Sequence, residues 1–117
     1  MISIECFRIE QCGDMTIVRL VDNRFFDTDK YEQLQQDLVA FVERQQPTKL
    51  VVDLSSLVYL STALTNTLLI AQKRLQANSG TMRLFGLSET VREALQHLKL
   101  IGTVFAVYAD ETAAKNA

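Results

Sequence analysis

The 117-residue chain has no tryptophan, one proline, one histidine, two cysteines and four glycines, and each shortage excludes a class of function. Gly13, Gly80, Gly86 and Gly102 lie too far apart to make a phosphate-cradling loop, so neither a Walker loop nor a dinucleotide fingerprint is present. Cys6, Cys12 and His97 cannot supply four ligands at zinc spacing, and no metal or other cofactor is expected. If the residues between the cysteines run as a strand, their Cα atoms stand up to about 20 Å apart, whereas a disulfide spans less than about 7 Å. Two reduced thiols suit a reducing compartment. No apolar run approaches the roughly 20 residues that cross a bilayer. The opening Met-Ile-Ser-Ile-Glu-Cys has no basic segment and does not read as a signal peptide. A cytoplasmic protein without membrane insertion is the expectation. Charge is nearly balanced, 12 Lys+Arg against 14 Asp+Glu. Scattered cations argue against a nucleic-acid partner, which would draw its affinity from a cationic cluster.

What is present is the composition of one soluble domain spanning residues 1–117, with 48% apolar residues. Residues 2–10 and 15–20 are rich in β-branched side chains and flank Cys12-Gly13-Asp14, a hairpin signal. The apolar phase shifts between Cys6 and Phe7, as at a bulge or an edge strand. From Asp27 to Gln45 the period becomes helical, with Tyr31, Leu34, Leu38, Phe41 and Val42 recurring at three and four. Asp27, Thr28 or Asp29 can cap this helix, and Gln46-Pro47 ends it. Leu50-Val51-Val52 reads as a central strand covered on both faces. A second helix from about Thr62 to Asn78 carries the stripe Leu64, Leu68, Ala71 and Leu75, and Gly80 is a candidate for positive φ at its end. Thr81 to Phe85 is a short strand. Ser88 caps a third helix whose apolar face is Val91, Ala94, Leu95 and Leu98. A strand from Val104 to Tyr108 and a short helix from Asp110 complete the order ββαβαβαβ. That order predicts an α/β fold with a mixed, mostly parallel sheet of about five strands, three main helices and a short C-terminal helix.

Catalytic constellations are missing. His97 falls with Glu89 and Glu93 on the polar face of the third helix, and Cys6 reads as a small core residue with no cationic neighbour to activate it. Asp53, at the C-terminal end of a strand, is either a site residue or the cap of the loop formed by Ser55 and Ser56. The junction Leu60-Ser61-Thr62-Ala63-Leu64-Thr65 places two adjacent hydroxyls where a loop enters the second helix. Ser61 or Thr62 can be the N-cap, and the same free amides and helix dipole favour a phosphate there.

This junction, Val51-Val52-Asp53-Leu54-Ser55-Ser56-Leu57-Val58-Tyr59-Leu60-Ser61-Thr62-Ala63-Leu64, resembles the signature of STAS domains of the anti-sigma factor antagonist type, where a strand ending in Asp-Leu-Ser leads to an Asp-Ser-Ser-Gly-Leu-Gly helix start. Gly80-Thr81-Met82-Arg83-Leu84-Phe85-Gly86-Leu87-Ser88, Val91-Arg92-Glu93-Ala94-Leu95 and Leu100-Ile101-Gly102-Thr103-Val104-Phe105 resemble later segments of that family, in order. The resemblance implies a non-enzymatic, cytoplasmic regulator of transcription. Such a protein binds an anti-sigma factor of the serine-kinase type and is switched by phosphorylation at the residue after the motif's Asp, here Thr62, with Ser61 as second choice. Leu60, Ser61, Thr62, Ala63, Leu64 and Thr65 then form the partner surface. Ser61 stands where the family has Asp, and Leu64 and Asn66 replace two glycines, a Ser-Thr-Ala variant of the motif. STAS domains also resemble the small accessory subunits that bind and stabilise the ATPase of bacterial lipid-transport ABC complexes, which is the alternative.

Overall fold

The computed structural model describes residues 7–20 and 27–116. Its elements are β1 (Phe7–Cys12), β2 (Met15–Leu20), α1 (Thr28–Gln45), β3 (Lys49–Asp53), α2 (Thr62–Ala77), β4 (Thr81–Phe85), α3 (Glu89–His97), β5 (Ala106–Tyr108) and α4 (Glu111–Lys115). The predicted order is therefore present. The expected strand start before Phe7 and the roles given to Cys6 lie outside the described residues. Cys12 is a free, exposed thiol.

The strands lie in the sheet in chain order, β1 antiparallel to β2 and every later neighbour parallel. A right-handed crossover between adjacent parallel strands puts its helix on one fixed side, so a sheet built in a single direction collects α1, α2 and α3 on one face. The strand pattern obeys this. Val18, Leu20, Leu50, Val52, Met82 and Leu84 join Leu34, Leu38 and Val42 of α1, the α2 stripe Leu64, Leu68, Ala71 and Leu75, and Val91 and Leu95 of α3 in the main core. The alternate residues Ile17, Val51 and Phe85 face the other way, where, among the described helices, the short α4 packs on them through Ala114.

On that face a charged cluster links the elements. Arg19 of β2 donates from Nε to Glu10 Oε2 at 2.7 Å, and from Nη1 to Asp53 Oδ2 at 2.9 Å and Glu111 Oε1 at 3.0 Å. One guanidinium thus ties β1, β3 and α4 to β2. Arg83 adds a hydrogen bond from Nη1 to the Ala114 carbonyl at 3.2 Å, meeting an acceptor in the last turn of α4. The hydrogen bond from Arg19 holds the Glu10 carboxyl below its usual range. Arg19, and then Lys115, do the same to Glu111.

Several boundaries differ from the sequence reading for local reasons. Asp27 is the cap of α1, accepting from the Lys30 amide at 3.0 Å, and the helix is left through Gln46 at φ 45°. After α2 the positive φ belongs to Ser79 (63°), not to Gly80. Gly80 is needed for space instead, because a Cβ there would stand 2.7 Å from the Pro47 carbonyl oxygen. The last strand begins at Ala106 rather than Val104. The Val104 carbonyl accepts from the Gln72 side chain and the Phe105 amide donates to the Leu100 carbonyl at 2.8 Å, so this stretch is drawn away from the ladder while Phe105 enters the core. Leu98 is not part of the core face of α3; it caps the helix and is 55% exposed.

Two outcomes follow. Gly80→Ala lowers stability by about 1–3 kcal/mol, since backbone must move to admit the methyl group; urea unfolding measures it. Glu10 and Glu111 have folded-state pKa values below the ordinary 4.5, so their contribution is complete above that value and is lost as pH falls through the depressed ones. Arg19→Met should therefore lower the urea midpoint at neutral pH, and the gap to wild type should close on acidification. A constant gap would show that the carboxylates do not act through Arg19.

Candidate functional site

The site is built where β3 gives way to α2. Asp53 ends the strand, and its Oδ1 accepts from the Ser55 amide at 2.8 Å and the Ser55 hydroxyl at 2.6 Å. Of the two roles open to Asp53, the structure shows the loop cap, and adds the Arg19 bond from the other oxygen. Gly86, at φ 77°, lets the β4–α3 turn pass close by; a Cβ there would sit 3.0 Å from Ser55 Cβ. From Leu54 the chain alternates anchor and display. Leu54 and Leu57 are buried, whereas Ser55, Ser56, Val58 and Tyr59 are exposed. Leu60 packs against the core and brings the chain to the helix.

At the helix start the two hydroxyls part company. Ser61 is the N-cap, its Oγ accepting from the Leu64 amide at 3.0 Å. Thr65 donates back to the Ser61 carbonyl at 2.9 Å, and Thr67 to the Ala63 carbonyl at 3.0 Å. Thr62 is the first helical residue and is exposed. The first turn of α2 holds no acidic residue, which leaves the positive end of its dipole unopposed from within the helix.

Thr62 stands on the wall of a groove of about 300 Å³ shared with Leu60, Thr65, Asn66, Leu69, Ala94, Leu98 and Leu100. Among the described residues that line it, none is charged. Of the six residues expected to form a partner surface, Leu64 and Thr65 are 1% and 6% exposed; Leu64 belongs to the core, and Thr65 reaches the groove only from its floor. Ala63 is half-buried and borders a separate cleft toward α1. Sequence reasoning missed Leu69, Leu98 and Leu100. The available signal was Leu98 followed closely by Leu100, two leucines around the end of a helix whose four-residue stripe has room for only one of them. His97 is exposed, as are Glu89 and Glu93.

A STAS domain family model matches residues 7–114. The chain belongs to the STAS domain family. Solved structures with the same fold include an anti-sigma-factor antagonist (STAS) domain protein from Planctomyces limnophilus, 22% identical over 92% of this chain and 93% of that one, with a TM-score of 0.78. An anti-sigma factor antagonist from Mycobacterium paratuberculosis is 21% identical over 94% and 90%, TM-score 0.77. The Bacillus cell fate determinant SpoIIAA in its phosphorylated form is 19% identical over 94% and 97%, TM-score 0.67. At these identities the likeness establishes the fold. No curated protein matches the sequence. Within the STAS fold of this chain, no helix among the described residues is long and apolar enough to cross a membrane.

The division between cap and exposed hydroxyl has a measurable signature. Ser61→Ala removes the cap and costs about 1 kcal/mol. Thr62→Ala, at an exposed position outside the hydrogen-bonded start, changes stability by less than about 0.5 kcal/mol. Equal losses in urea unfolding would contradict the assignment.

Proposed function

We propose that the protein is a non-enzymatic regulatory module of the anti-sigma factor antagonist type, docking on an anti-sigma factor of the serine-kinase type and released by phosphorylation of Thr62. The observation that carries this reading is the exposed Thr62 hydroxyl on the wall of an uncharged, largely apolar groove. A partner helix with leucine-like side chains would bury Leu60, Leu69, Leu98 and Leu100. Transfer of the terminal phosphoryl group of the kinase's ATP to Thr62 Oγ1, with loss of the hydroxyl proton, adds roughly −1.5 to −2 charges. With no cation among the described residues of the groove lining, covering that charge costs several kcal/mol, enough to break a docked complex. In the free protein the same phosphate is tolerated, because it sits in water at the positive end of α2. Ser61 is the poorer acceptor, since its hydroxyl is engaged as the cap. A STAS neighbour solved in a phosphorylated form fits this cycle.

The test is a binding assay with kinases encoded beside the gene, followed by intact-mass and site mapping. Thr62→Ala should stay bound in the presence of ATP, and Thr62→Asp should lose at least tenfold in affinity. If both variants bind and release as wild type does, the switch is not Thr62. Co-purification of an ATPase with a permease in place of a kinase would assign the groove to the accessory-subunit role.

A further inference from the structure

β1 closes one side of the sheet, and among the described residues no strand pairs with its outer edge. Such an edge is a row of unused N–H and C=O groups that proteins ordinarily blunt with lysine, proline or a bulge. Phe7-Arg8-Ile9-Glu10-Gln11-Cys12 contains neither lysine nor proline, and its register against β2 is unbroken.

Which groups face outward follows from the hairpin. Cys12 pairs with Met15 across the two-residue turn, a turn closed by the first residue's carbonyl accepting from the fourth residue's amide. Hydrogen-bonded and non-bonded pairs then alternate along the ladder. Arg8, Glu10 and Cys12 turn their backbone groups toward β2; Phe7, Ile9 and Gln11 turn theirs outward. An added antiparallel strand must match outward residues with outward residues.

For a second copy of this chain, three such registers engage the middle of β1. One centred on Arg8 sets Arg8 against Arg8, and one centred on Glu10 sets Glu10 against Glu10. Both put like charges on the two-fold axis. Centred on Ile9, the two strands set Arg8 opposite Glu10 twice and Phe7 opposite Gln11 twice, and bring the two Ile9 side chains together. The charge pairs then fall at non-hydrogen-bonded positions, where the side chains approach most closely. Ile9 is 40% exposed, an apolar side chain displayed beside the open edge. Glu10 can serve both Arg19 and the second copy's Arg8, because its side chain is 53% exposed and a carboxylate accepts several donors at once.

We propose that the protein forms a two-fold homodimer by antiparallel β1–β1 pairing centred on Ile9, joining two sheets into one continuous sheet. The interface uses none of the residues that line the Thr62 groove, so its failure leaves the phosphorylation reading untouched, and the reverse holds too.

Sedimentation velocity of the full chain at low salt, from micromolar to millimolar concentration, tests this. The wild type should show a reversible monomer–dimer equilibrium. Arg8→Glu sets carboxylates opposite one another and should weaken association roughly tenfold or more. Glu10→Arg does the same with guanidinium groups, and an equimolar mixture of the two variants should restore a mixed dimer. Ile9→Pro deletes the outward amide at the axis and should leave a monomer with an unchanged circular dichroism spectrum. If Glu10→Arg fails to fold beside Arg19, Arg8→Glu and Ile9→Pro decide the matter. A wild type that stays monomeric at millimolar concentration overturns the proposal. So does a dimer indifferent to Arg8→Glu and Ile9→Pro, or a folded variant pair that does not associate.

Discussion

The handedness of the crossover governs this molecule. Because each parallel strand is laid down beside the previous one, always in the same direction, the three connecting helices have no choice of face. One side of the sheet receives a full helical layer and becomes the main core. The other receives a five-residue helix and a small apolar patch. A helix so short cannot hold itself in place by its own hydrogen bonds, and only Ala114 of it is buried. The Arg19 cluster answers that shortage, with the guanidinium meeting carboxylates from an antiparallel neighbour, a parallel neighbour and α4.

The same arrangement brings the candidate site into being. The crossover returns the chain from the end of β3 to the start of α2 through a loop with few residues to bury, and Asp53 holds both ends of that problem. One oxygen joins the Arg19 cluster and the other fixes Ser55. Leu54 and Leu57 pin the loop, so Val58, Tyr59 and Thr62 are presented outward. Because Ser61 meets the helix's need for a cap, Thr62 is left free of structural duty. An acceptor that also capped its helix would weaken the fold whenever it was modified; in the proposed switch the cap, Ser61, and the acceptor, Thr62, are separate, adjacent residues.

Much of this was legible in the chain because the signals are local. Helical period placed α1 and the α2 stripe, and Ser88, with Asp27 as one of three candidates, announced helix starts that the side-chain-to-amide bonds bear out. The misreadings arise where contacts outside the local apolar pattern decide the outcome. Gly80 looked like a residue of positive φ but is small because Pro47 lies against it. Val104 and Phe105 looked like strand, yet their backbone groups bond to Gln72 and Leu100. Leu98 continued an apolar stripe, but α3 ends at His97 and Leu98 is its exposed C-cap. The adjacent hydroxyls drew notice to the site, whereas two of the four leucines that line its groove, Leu98 and Leu100, come from the segment after α3.

The sequence by itself determined the element order, the alternation that gives the sheet two faces, and the loop-to-helix junction with its paired hydroxyls, since each depends on spacing along a few residues. Tertiary structure alone decided which hydroxyl caps and which is displayed, that Leu69, Leu98 and Leu100 line one groove, and that Arg19, Asp53 and Glu111 meet at one point. Those outcomes depend on where the crossovers carry residues from separate elements, and side chains so joined leave no periodicity in the chain that supplies them.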